Sequence, residues 1–174
     1  MTGVVVENNN DLMDEFKEVL SNKNIQKAYQ LIFDLFSDLK KELKNGNHKT
    51  ISYASLYHGY LDMTYLPVTT EMLNNNGLKI AVVFNYSLFQ FEIWLSAINR
   101  QKRIEVLEMI SKRQWKKYKT VQNNGNPDAI IEKVLKGVND FNNKQNIVSR
   151  IAKEVFIFID DIEAFLKIPN DVKK

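Results

Sequence analysis

Two carboxylates, Asp62 and Glu92, lie in runs of residues that otherwise favour β-structure, where acidic side chains are depleted. On one face of neighbouring strands such a pair holds a divalent cation or divides the acid and base roles. The competing reading is a solvated face, or an ion pair with Arg100, Arg103 or a lysine; structural ion pairs are commoner than catalytic ones. Tyr60, Trp94, Asn99 and Arg100 are close in sequence to the two acids. Asn99 is a favoured residue type for capping a helix that follows it. Arg100, in the first turn of that helix, opposes the helix dipole, so Glu92 or Asp62 is expected to be its partner. Trp94 shares a strand face with Gln90 and Glu92, opposite Phe89, Phe91, Ile93 and Leu95. It is expected as core, with a pocket wall or stacking surface as the other reading.

The elements that must position these residues follow from periodicity. Residues 57–66 read as a strand that puts His58, Tyr60, Asp62 and Thr64 on one face, closed by Pro67 because proline cannot donate to a ladder. Residues 79–84 and 89–95 read as an antiparallel hairpin joined through residues 85–88. Helical spacing marks 11–20, 25–43, 99–113 and 143–167, with a short helical turn at 70–75. Gly46 suits the left-handed position that ends the second helix. Asn126, Pro127 and Asp128 look like a helix start, running to Gly137. Residues 115–121 read as a weak fourth strand. The fold expected is α+β, a small, mainly antiparallel sheet of three to four strands packed by four to five helices. Residues 1–10 are expected as a flexible tail and 11–174 as a single domain.

Composition removes several kinds of chemistry. The 174 residues include no cysteine, which excludes disulfides, thiolate zinc sites and cysteine nucleophiles. His48 and His58 stand ten residues apart, outside any zinc-hydrolase pattern. The six glycines form no phosphate-binding loop, and no nucleophile-elbow motif occurs. No secretory signal and no apolar run of membrane-spanning length is visible, so a cytoplasmic protein without a membrane partner is expected. Net charge is +3, but residues 100–119 hold eight cations against two anions. That stretch, from Arg100 through Lys112, Arg113, Lys116 and Lys117 to Lys119 with Trp115 and Tyr118 interleaved, suits phosphate contacts and base stacking. A solvated lysine face is the plainer account, Glu108 and Lys112 making an ordinary helical pair.

The order of helix, three strands, helix, strand matches a restriction-endonuclease-like core by fold-level analogy. That chemistry needs an acid on one strand and an acid-x-lysine on the next, the lysine orienting water beside Mg²⁺. Here the second motif would be Glu92-Ile93-Trp94, with tryptophan where lysine is required.

The runs Tyr57-His58-Gly59-Tyr60-Leu61-Asp62-Met63-Thr64-Tyr65, Lys79-Ile80-Ala81-Val82-Val83-Phe84-Asn85, Phe89-Gln90-Phe91-Glu92-Ile93-Trp94-Leu95 and Asn99-Arg100 resemble a family of small bacterial proteins known as a domain of unknown function. The resemblance covers residues 25–166. It implies a single-domain soluble protein and brings no established activity, cofactor or partner. In the family's pattern a glycine commonly precedes the Asn-Arg pair and a basic residue follows the first hairpin phenylalanine. Here those positions hold Ala97-Ile98 and Gln90, which weakens any anion site built on the arginine.

The reading reached is a non-enzymatic binding or interaction module whose face carries Tyr60, Asp62, Glu92, Trp94, Asn99 and Arg100. One alternative is a metal-dependent hydrolase or degenerate nuclease-like enzyme using Asp62 and Glu92. A second is nucleic-acid binding through residues 100–119. No cofactor, metal, partner or oligomeric state is assigned.

Overall fold

The computed structural model describes residues 8–46, 52–121 and 129–169. Contacts group the chain into two units, one up to Asp34 and one from Leu35 onward. The first holds α1 (Asn9–Ser21) and the opening turns of α2 (Lys23–Asn45). The Asn8 side chain accepts the Asn10 N–H at 3.1 Å, so α1 starts at Asn9, two residues ahead of the expected position 11. Leu12, Met13, Phe16, Val19 and Leu20 do recur at helical spacing, yet no residue of α1 is buried.

The second unit is built on one sheet of five strands: β1 (Ser52–Tyr53), β2 (Met63–Thr69), β3 (Leu78–Asn85), β4 (Gln90–Ala97) and β5 (Ala129–Val134). Their order in space is their order in sequence, and every neighbouring pair is antiparallel. With α3 (Glu71–Asn75), α4 (Arg100–Lys112) and α5 (Lys144–Lys167), the class is α+β. The sheet is larger than the three to four strands expected.

The differences have local causes. The strand expected at 57–66 begins only at Met63, and it runs through Pro67 instead of stopping there. Left-handed backbone at Gly59 and Leu61 turns the chain before Met63. A Cβ at Gly59 would run into the Met63 carbonyl, so glycine is required there. Pro67 is tolerated because its nitrogen faces the β1 side of the sheet, beyond the end of that strand. Its carbonyl accepts the Ala54 N–H at 3.4 Å, the return bond cannot form, and β1 ends at Tyr53.

Residues 129–134, expected as helix, form the edge strand β5. Their β-branched run Ile130-Ile131 pairs against β4. Residues 115–121 give a single bridge, Thr120 to Ile131, and no strand. The expected loop at 123–126 and the expected helix start at 126–128 lie outside the described residues, as does His48. The second helix ends at Asn45 as expected, but without a left-handed glycine. Gly46 does not adopt a positive φ; a side chain there would collide with the Phe156 ring.

Strand register divides the sheet into two faces. One presents Leu66, Ile80, Val82, Phe84, Phe91, Ile93 and Leu95, all buried. The second half of α2, through Phe36 against Phe91 (6.1 Å between ring centres), and α5 cover this face. Lys133 of β5 pairs with Glu154 of α5 at 2.7 Å, and Thr70 donates to Glu163 of α5 at 2.5 Å. The other face carries three rows: Met63–Asn85–Gln90, Tyr65–Val83–Glu92 and Pro67–Ala81–Trp94. The candidate site lies there.

Candidate functional site

Alternation along β4 places Gln90, Glu92 and Trp94 side by side on the second face. The Glu92 carboxylate joins them. Its Oε1 accepts the Gln90 amide at 2.7 Å, and its Oε2 accepts the Trp94 indole N–H at 2.6 Å. Glu92 is 3% exposed and Trp94 7%. Two charge-assisted bonds thus fix the indole ring and offset the cost of burying the carboxylate. Trp94 anchors a small apolar cluster with Val83 and Ala129, bordered by Met63, Tyr65, Ala81 and Val121. Among the described residues neither Arg100, Arg103 nor a lysine pairs with Glu92.

Asp62 is engaged elsewhere. Its Oδ1 accepts the Tyr60 N–H at 2.9 Å. That bond, with the one from the Met63 N–H, holds its carboxyl below the usual carboxylate range. Asp62 organises the turn that leads into β2, and the Tyr60 ring is exposed beside it. Strand β3 lies between β2 and β4. Asp62 also sits three residues along β2 from Tyr65, whose row contains Glu92. Two strand spacings and three residue rises separate the acids by roughly 10 Å in each direction, too far to share an ion. Among the described residues no cluster of three or more metal-ligating side chains occurs.

Trp94, Asn99 and Arg100 are brought together, with partners the sequence did not single out. They line a cavity of about 790 Å³ on the second face, with Tyr65, Pro67, Ala81, Lys79, Ser96 and Arg103. The space exists because small side chains fill the middle of the rows: Ala81 lies between Pro67 and Trp94, and Ser96 lies opposite Lys79. Asn99 caps α4, its Oδ1 accepting the Lys102 N–H at 2.8 Å. This orients the helix start towards the cavity wall that Arg100 helps to form.

Arg103 donates to the carbonyls of Ala129 (3.2 Å) and Val121 (3.4 Å). It thereby ties the start of β5 to α4. Lys79 and Arg100 are exposed and form no salt bridge among the described residues. The acidic partner expected for Arg100 is absent among those residues.

Arg113, Trp115, Lys117 and Tyr118 of the basic stretch hold α5, while Lys116 and Lys119 are exposed. Arg113 donates to the carbonyls of Phe165 and Ile168, both at 2.6 Å, closing the end of α5. Trp115 stacks on Phe165 at 4.5 Å and Tyr118 meets Phe158 edge-on at 4.9 Å, so both rings are turned onto α5. Lys117 pairs with Asp161 at 2.5 Å and Tyr118 donates to the same carboxylate at 2.6 Å. Burial and that carboxylate push the Tyr118 hydroxyl well above its ordinary range. Lys102 and Lys112 pair with Glu105 and Glu108 along α4.

Lys79, Ser96, Arg103, Ala81, Tyr65 and Pro67 are among the lining residues that sequence reasoning missed. The hairpin register would have found the first two, since Lys79 and Ser96 are direct cross-strand neighbours.

Among the described residues no helix is long and apolar enough to cross a membrane. Neither the curated proteins nor the solved structures contain a match. The family described as a domain of unknown function (DUF7000) matches residues 9–166, and the chain belongs to it.

Proposed function

We propose that this member of the family is a non-enzymatic binding module and that the cavity beside Trp94 receives a small organic ligand. The observation that carries the reading is the cavity itself. It is of ligand size, about 790 Å³, with an apolar floor and a few polar groups at one end, as small-molecule sites usually are. Its indole is held by Glu92, so the floor is pre-formed. Among the described residues no carboxylate or histidine lines the space, leaving no ordinary general base beside a bound molecule.

A cytoplasmic location accords with the lack of cysteine and with the absence, among the described residues, of a helix long and apolar enough to cross a membrane. The reading is tested with a thermal-shift panel of small metabolites together with hydrolase and nuclease assays in Mn²⁺. A saturable rise in midpoint without turnover is expected. Mn²⁺-dependent hydrolysis abolished by Asp62→Asn or Glu92→Gln would overturn it.

A further inference from the structure

We infer that the cavity contains an oxyanion subsite, formed by Ser96, Lys79 and Arg100 at the N-terminus of α4, for a carboxylate or phosphate group on its ligand. This rests on the reading of the cavity as a ligand site and adds the class of ligand.

Ser96 supplies the first observation. It is 4% exposed, lines the cavity, and its hydroxyl makes no hydrogen bond to another described residue. The Ser96 oxygen is not fully enclosed, and the open space that the residue lines is the cavity.

The helix start supplies the second. The first N–H groups of a helix have no acceptor within it. The Asn99 side chain takes that of Lys102, leaving those of Arg100 and Gln101. They carry the positive end of the helix dipole, which favours an anion.

Charge supplies the third. Every charged side chain lining the cavity among the described residues is a cation: Lys79, Arg100 and Arg103. Arg103 spends Nε and Nη2 on carbonyls, and Nη1 remains. A cation in the first turn of a helix, beside two others, is electrostatically unfavourable until an anion arrives. An oxyanion at this point would accept from the Ser96 hydroxyl, the Arg100 guanidinium and the Lys79 ammonium. The apolar body of the ligand would extend over Ala81 towards Trp94.

The test is calorimetric titration of the full chain at low ionic strength with three probes: benzoate, inorganic phosphate and benzyl alcohol. Benzoate should bind at least about tenfold more tightly than benzyl alcohol, as a charge-assisted bond requires. Phosphate should compete with benzoate, and added salt should weaken both. Ser96→Ala and Arg100→Gln should each lower benzoate affinity about tenfold without lowering the thermal midpoint, because neither side chain has a partner to lose. Equal affinity for benzoate and benzyl alcohol, or unchanged benzoate affinity in both variants, would overturn the subsite and leave the cavity as a ligand site. Failure of all three probes to bind would overturn both.

Discussion

Phe84 and Ala81 lie three residues apart on β3 and face opposite sides of the same sheet. Phe84 is fully buried and meets the rings of Tyr86, Phe89, Phe91 and Phe141. Ala81 sits between Pro67 and Trp94 and borders empty space. On the first face large apolar side chains interlock with helices and every contact adds stability. On the second a small apolar cluster around Trp94 gives way to the small residues Ala81 and Ser96, Trp94 is held by a carboxylate, and Lys79 and Arg100 have no acidic partner among the described residues. Packing that ends at small residues while polar groups stay unpaired is poor design for stability alone. It is what a site for another molecule requires.

The contrast can be broken most forcefully on the first face. Phe84→Ala or Phe91→Ala should cost about 3–5 kcal/mol in denaturant unfolding, by lost burial and a residual cavity. A cost below about 1 kcal/mol would mean that this face is not the core. Next comes Glu92→Leu, which strands the Trp94 indole N–H and should cost about 1–3 kcal/mol. Glu92→Gln keeps an acceptor and should cost less. Trp94 emission, isolated in a Trp115→Phe background, should report loosening of the ring in Glu92→Leu only.

Acid tests the contacts of α5. Burial tends to raise the Asp161 carboxyl, but hydrogen bonds from Lys117 and Tyr118 outweigh it and hold the group below its ordinary range. Lys144 and then Lys41 do the same for Asp38. A carboxylate lowered by folding contributes stability that is present above its unfolded pKa, about 4, and lost as pH falls through the folded value. The thermal midpoint should therefore hold from neutrality to about pH 5 and fall below about pH 4. Asp161→Asn should cost about 1 kcal/mol at neutral pH and flatten that acid limb.

The smallest effect has the opposite sign. Arg100→Gln removes an unpaired cation from the first turn of α4 and should stabilise the ligand-free chain by about 0.3–0.5 kcal/mol. A loss of stability instead would reveal a structural role for the arginine.

The first face was largely legible in the sequence. Alternation at 79–84 and 89–95, the Asn99 cap and the stripe of α5 all follow from period and residue type, and Gln90, Glu92 and Trp94 were placed on one side. The second face was not, because it depends on register. A loop at 85–88 would put Lys79 opposite Trp94; the turn at 86–89 puts Ala81 there and Ser96 opposite Lys79. That one-residue difference decides whether a lysine or a void adjoins the indole. β5 was hidden for another reason. Ile130, Ile131, Val134 and Leu135 fit a helical face as well as a strand, and pairing with β4 decides between them. Asp62 drew notice as an acid among β-formers, but it lies in a turn, where aspartate bonding to nearby backbone is ordinary.

The central claim is that the second face holds its cavity for a ligand, and filling that cavity tests it most directly. Ala81→Leu adds bulk between Pro67 and Trp94 without disturbing the first face. Calorimetric titration of wild type and Ala81→Leu with benzoate, alongside their thermal midpoints, is the measurement. Saturable binding to wild type, lost in Ala81→Leu while the midpoint holds or rises, is the expected result. Equal binding by both chains, or none by wild type, would contradict the account.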